Sequence, residues 1–173
     1  MMMRDTMWDI SLFRLAPEHE GSQETAHRYS DQLAAILNWD EGLPPSVKGS
    51  GTAPPLSAAD FLSYTQSWCR EKSAQSFAIV DDSDSAIGLI SLSHIDREQG
   101  TARTGMFLSS RHEGLGIPGA AFALLLKLAR MLGIRQVSGA IPEIEDMAQE
   151  IWEGCGAAVR FEPKQVVVSL ASS

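Results

Sequence analysis

The chain has 173 residues, with 14 Lys and Arg against 22 Asp and Glu, for a formal charge of −8, which removes the basic footprint that a general nucleic-acid binder needs. That length supports one domain over 1–173 with a core that needs no disulfide, and the two cysteines, Cys69 and Cys155, match no metal or redox spacing, so a reduced cytoplasmic setting is expected. The acidic surface attracts cationic partners such as amines.

The N-terminal stretch "MMMRDTMWDISLF" has neither the continuous apolar segment nor the small-residue cleavage site of a secretory signal. "DISLFRLAP" reads as a first strand, stopped by Pro17. Over residues 22–37, Ala26, Tyr29, Leu33, Ile36 and Leu37 recur at helical spacing and predict a first helix. "DEGLPPSVKGSGTAPPL", residues 40–56, holds five Gly or Ser and four Pro, too irregular for a regular element. It reads either as a linker or as a loop closing over a site. Ser57 opens a second helix in "SAADFLSYTQSWCREK", where Asp60 completes an acidic form of the capping box.

From Phe77 the pattern switches to strands. "FAIV", "AIGLISLSHI" and "TARTGMFL" are short apolar runs separated by "DDSDS" and "DREQG", both dense in turn formers, so a three-stranded antiparallel meander is expected. Residues 117–132 are apolar nearly all round a helix, which requires cover on both sides; Gly133 ends it. Lys127 and Arg130 interrupt this tract and argue against a membrane span. A strand at "RQVSGAI", a helix over about 142–153 and two closing strands, "AAVRF" and "QVVVSLA", complete the chain. The tally is about seven strands and about four helices, with no internal repeat.

The stretch "RHEGLGIPGA" joins the meander to the apolar helix and satisfies two motifs. Gly114, Gly116 and Gly119 spell G-x-G-x-x-G, the dinucleotide fingerprint, but that motif needs a strand running straight into its glycines inside a parallel βαβ unit. Here Arg111, His112 and Glu113 intervene, hairpins precede, and well over half the chain lies upstream, so the dinucleotide reading fails. Arg111, Gly114 and Gly116 also spell R-x-x-G-x-G. Glycines let a backbone approach phosphate closely, and the following helix N-terminus supplies uncommitted N–H groups and a positive dipole end. Arg111 adds a charge-assisted donor, and Pro118 is tolerated in a first helical turn.

With that loop, the order of strand, two helices, meander, loop, helix, strand, helix and strand pair resembles the GNAT superfamily of N-acetyltransferases across nearly the whole chain. A second motif of that family, N-x-x-A-x-x-L-Y-E-K-x-G-F, is echoed in "EIEDMAQEIWEGCGA", with Glu145 at the Asn position and Ala148, Ile151, Trp152, Glu153 and Gly156 in register. The I-G-x-I-S-L core of "FAIVDDSDSAIGLISLSHID" is similar to the ribosomal-protein N-terminal acetyltransferase-like branch. The resemblance implies an α+β fold with a mixed, mostly antiparallel central sheet and acetyl-CoA as cosubstrate. It also implies direct attack on the thioester by a primary amine, either a peptide N-terminus or a small molecule. By resemblance, Met106, Phe107 and Leu108 line the acetyl group and pantetheine arm, while Arg111, His112, Glu113, Gly114, Leu115, Gly116 and Ile117 surround the phosphates.

Two positions depart from the family pattern. Trp152 stands where many relatives place a Tyr acid, and Arg103 where the nearest branch often has Glu; neither side chain can take over the proton transfer. The candidate substitutes are His94, whose intrinsic pKa suits the task but whose hairpin register places it opposite about Ala102 and away from Met106, and Glu143, near where family substrates enter. Trp39, Phe61, Tyr64 and Trp68 read either as lining an acceptor pocket or as core. The alternative function is a non-catalytic acyl-CoA-binding or regulatory domain on the same scaffold. The sequence gives no oligomeric signal and leaves a homodimer open.

Overall fold

The computed structural model describes residues 2–5, 10–15, 23–40, 57–112, 116–139, 157–162 and 165–170. Eight strands form one sheet: β1 (Met2–Asp5), β2 (Ile10–Arg14), β3 (Gln75–Val80), β4 (Ala86–Asp96), β5 (Thr101–Leu108), β6 (Gln136–Gly139), β7 (Ala157–Glu162) and β8 (Gln165–Leu170). Their order is β1-β2-β3-β4-β5-β6-β8-β7, and every adjacent pair is antiparallel except β5 with β6. The three α-helices of the described residues are α1 (Gln23–Trp39), α2 (Ala58–Glu71) and α3 (Ile117–Met131). This is the α+β arrangement expected, with one strand more than the seven counted: Met2–Asp5 pairs with β2 from Met2 opposite Phe13. The stretch offers no alternation of its own, so only the ladder marks it as a strand. The helix expected over 142–153 and most of the Pro/Gly/Ser-rich segment lie outside the described residues.

Alternation along the strands sends side chains to two separate cores. One face of the sheet packs Ile10, Leu12, Phe77, Ile79, Ile90 and Leu92 against α3, and that helix is buried on nearly every side, as its all-round apolar sequence demands. The other face packs Phe13, Leu15, Ala78 and Val80 against Tyr29, Leu33 and Phe61 of α1 and α2. A strand covered on both faces has no polar alternation, which is why β3 is buried along five of its six residues.

Local signals fix the helix ends. The Ser57 hydroxyl accepts from the Asp60 amide at 3.1 Å, the expected N-cap. At the other end of α3, Gly133 takes φ +81°, a left-handed position just past the last turn.

Helix α1 is tied to the β3–β4 turn by polar bonds. The Tyr29 hydroxyl donates to Asp84 Oδ1 at 2.5 Å, Arg28 donates to Oδ2 at 2.6 Å, and the Ala86 amide donates to the Gln32 side chain at 2.8 Å. Asp84 sits at φ +61°, a conformation Asp and Asn adopt more readily than most residues. The Tyr29 bond, reinforced by Arg28, holds the Asp84 carboxyl below its ordinary range. Burial first, and the Asp84 bond second, push the Tyr29 phenol up.

Tyr29→Phe keeps the packed ring and removes the bond, and is expected to lower stability by about 1 kcal/mol. Because the Asp84 pKa is depressed in the folded state, its contribution is complete above the unfolded value of about 3.9 and disappears as pH falls through the lower folded value. Chemical denaturation across the acid range should therefore show wild type and variant converging below that region; a gap that stays constant would refute the coupling.

Candidate active site

The parallel pairing of β5 with β6 covers only Thr101, Ala102 and Arg103 opposite Gln136, Val137 and Ser138. Beyond it, residues 104–108 of β5 continue pairing with β4 but have no ladder partner on the other edge among the described residues. Gly139 stands at the parting point. A side chain there would bring a Cβ to 2.4 Å from the Thr104 carbonyl oxygen, so close approach of the two backbones requires glycine. Backbone groups left over at such a strand end need partners, and Met106, Phe107 and Leu108 lie on that stretch.

Immediately after β5 the chain turns through a short 3₁₀ segment, Ser110–His112. Its first residue is gripped by Asp40, at the end of α1: the carboxylate accepts from the Ser110 amide at 2.8 Å and from the Ser110 hydroxyl at 2.6 Å. The turn thus presents Arg111 exposed to solvent, with His112 half-buried. The His112 Nδ1 atom is buried without a hydrogen-bond partner among the described residues, a cost that a ligand at this turn would relieve.

Glu113, Gly114 and Leu115 lie outside the described residues. Gly116 resumes the chain at φ +76° as the N-cap of α3, with no side-chain cap and Pro118 in the first turn. The helix that follows, beginning at Ile117, is 15 residues long, and its N-terminus carries the positive dipole end that favours an anion. Arg111 and His112 thus end the turn after β5, and Gly116 and Ile117 open α3.

Two clefts open on the side of α1. The larger, about 630 Å³, is lined by Trp39 of α1 and the adjoining Asp40, Ile87 of β4, and Ser109, Arg111 and His112 after β5, among others. The smaller, about 440 Å³, lies between the helices and the sheet and is lined by Leu37, Phe61, Tyr64, Trp68, Met106 and Phe107 among others. It reaches the unpaired end of β5. Of the four aromatic residues singled out in the sequence, three meet in this cleft and Trp39 lines the other. Phe61 belongs to the core as well, whereas Trp39 and Tyr64 are largely exposed.

His94 falls at the opposite end of the β4–β5 hairpin. It lies in a register break between Ser93 and Asp96, at φ +51°, with its amide bonded to the Lys72 carbonyl and its ring beside the Ser93 hydroxyl. It therefore faces no single partner across the hairpin, where a regular ladder would have put Ala102; Met106 pairs with Ile90 farther along. Arg103 is exposed on β5 opposite Ser93. Glu143, Glu145 and Trp152 lie outside the described residues. No local pattern singles out Asp40, which reads as the start of an irregular segment, because its partner lies 70 positions away.

Residues 13–158 match the model of the acetyltransferase (GNAT) domain. Among curated proteins no relative matches the sequence. Solved structures do match in fold. The ribosomal alpha-N-protein acetyltransferase RimL in complex with coenzyme A is 14% identical at a TM-score of 0.58, covering 98% of this chain and 96% of that one. A probable acetyltransferase of the GNAT family from Chromobacterium violaceum is 16% identical at a TM-score of 0.62, covering 97% and 84%. Spermidine N-acetyltransferase from Vibrio cholerae, in complex with CoA and spermine, is 16% identical at a TM-score of 0.51, covering 92% of each chain.

Removing the Asp40 grip should loosen the turn without unfolding the sheet. Asp40→Ala is expected to cost about 1–3 kcal/mol and to speed hydrogen exchange at the Ser110, Arg111 and His112 amides selectively. Exchange that rises uniformly across the protein, or not at all, would contradict a local role for this bond pair.

Proposed function

The chain belongs to the GNAT acetyltransferase domain family, whose members use acetyl-CoA, and from that premise we propose that it transfers an acetyl group from acetyl-CoA to a primary amine, a peptide N-terminus or a small molecule, within one domain over 1–173. The observation that carries this reading is the meeting of three features at one sheet opening. The unpaired end of β5 provides Met106, Phe107 and Leu108 for the acyl arm; the Arg111 turn and the Gly116 entry to α3 lie at its end; and a separate cleft for an acceptor reaches Met106 and Phe107.

In this proposal Arg111, His112, Gly116 and Ile117, with Glu113, Gly114 and Leu115, hold the phosphates. The neutral amine nitrogen attacks the acetyl carbonyl carbon, the carbon–sulfur bond breaks, and the CoA thiolate leaves while the nitrogen loses its proton to solvent. A CoA thiol resembles a cysteine, with a reference pKa of about 8.5, so its thiolate can depart near neutral pH unaided. The reading thus asks little of an enzyme acid. It asks more of a base, for which His94 is poorly placed and Glu143 is the remaining candidate.

The place of His94, at the end of the β4–β5 hairpin away from Met106, favours one second reading, a domain that binds acyl-CoA without catalysis. Acceptor-dependent release of free CoA supports the enzyme; tight CoA binding with no release from any amine supports the binding domain.

Gly116→Val tests the loop. A β-branched residue at φ +76° is strained and fills the space for phosphate approach, so calorimetry should find CoA binding lost in a variant whose circular dichroism is unchanged. Retained affinity would sink the assignment.

The absence of an identified base makes a pH prediction. An α-amine, with a reference pKa of about 7.7–8.0, is partly neutral at physiological pH, whereas a lysine amine at about 10.4 is not. Turnover should rise along the acceptor's own ionisation, and its inflection should move when an acceptor of different pKa is used. An inflection that stays fixed would reveal an enzyme base instead.

A further inference from the structure

The smaller cleft carries information about the acceptor beyond its being an amine. Its wall is aromatic and aliphatic: Phe61, Tyr64 and Trp68 from α2, Leu37 from α1, and Phe107 with Leu89 from the sheet. Besides the Tyr64 phenol and the Trp68 indole N–H, its polar side-chain groups are the hydroxyls of Thr65 and Ser91, both buried, the latter within 3.4 Å of the Gly105 carbonyl. Among the described lining residues there is no Asp, Glu, His, Lys or Arg. The floor is open at Gly105, where a Cβ would meet only Ser91 Oγ, at 3.8 Å.

This lining has a clear preference. A ring or aliphatic group entering it loses unfavourable contact with water. An additional ammonium group entering it sheds hydration and finds no carboxylate in exchange among the described lining residues. Ring faces attract cations too weakly at an open mouth to replace that hydration for several charges. The charge of −8 draws amines of every kind toward the surface, but it does not choose among them; the cleft does.

Resting on the acetyl-transfer reading above, we propose that the acceptor is a primary amine borne on an uncharged aromatic or apolar body, which fills the cleft between Trp68 and Phe107 and directs its nitrogen toward Met106, and that polyamines are excluded. A free arylalkylamine and a peptide whose N-terminal residue is aromatic share this chemistry. Gly105 sets the depth of the cleft, and the uncharged lining of its described residues sets its selectivity.

The test compares tryptamine, a neutral tripeptide amide with N-terminal Phe, and spermidine, at saturating acetyl-CoA. Tryptamine or the peptide should exceed spermidine in kcat/KM by at least about tenfold, the discrimination that burying part of one ring supplies. Whichever of the two is preferred identifies the source of the aromatic group. Gly105→Val should raise KM for the aromatic acceptor more than for spermidine, and Tyr64→Asp, at an exposed position on α2, should shift preference toward spermidine by supplying the missing anion. Spermidine used as well as the aromatic acceptors, or a Gly105→Val effect equal for all three, would overturn the inference. If no amine is turned over although CoA binds, the acetyl-transfer reading fails. Calorimetry with CoA-loaded protein then decides the cleft separately: tighter binding of tryptamine than of spermidine upholds its preference, and the reverse, or no binding of either, overturns it.

Discussion

The parting of β5 from β6 is the constraint on which the rest of the site depends. Two parallel strands can remain paired only while their backbones run alongside, and here three residue pairs suffice before they separate. Gly139 permits the close approach at that point, and the stretch beyond it retains half of its ladder, the half facing β4. A strand satisfied on one edge is rigid yet still offers donors and acceptors on the other, which suits it to hold an extended ligand arm in register. Both the smaller cleft and the turn that carries Arg111 are reached from this same stretch.

Helix α1 links the site to the fold. Near its start Tyr29 and Arg28 engage Asp84 on the β3–β4 turn, midway Gln32 bonds Ala86, and at its end Asp40 engages Ser110 after β5. Between these polar ties the helix packs apolar residues into the second core. A helix fixed in this way cannot slide along the sheet without breaking several bonds together, so the walls it contributes to both clefts keep their spacing from β5. The polar bonds fix position, while apolar burial supplies most of the driving force.

Charge is distributed so that attraction and selection are separate. The whole chain is acidic and concentrates amines nearby, whereas the cleft beside Met106 is neutral among its described residues. An acidic cleft would hold the ammonium form, which lacks the lone pair needed for attack. A neutral cleft disfavours that form through desolvation and so favours the reactive amine without a dedicated base.

Much of the architecture was legible in the sequence, because the signals that set it are local. Helical spacing of Tyr29 and Leu33, the Ser57 cap, the turn-rich breaks of the meander and Gly133 past α3 each act within one or two turns of chain, and the structure has them where they were read. The short turn at Arg111 and the entry to α3 at Gly116, on either side of residues 113–115, were legible for the same reason, since they lie close together in the sequence. Tertiary structure alone decided what depends on long separations. It paired Met2–Asp5 with β2, joined Asp40 to Ser110, and brought Phe61, Tyr64 and Trp68 to line one cleft with Phe107, although their helical spacing alone reads more readily as core. It also broke the register at His94, moving that residue off the ladder on which its pairing with Ala102 was inferred. Spacing along a chain records the period of an element and its ends; which distant surfaces close upon one another depends on how the whole sheet twists and packs, and no local pattern carries that.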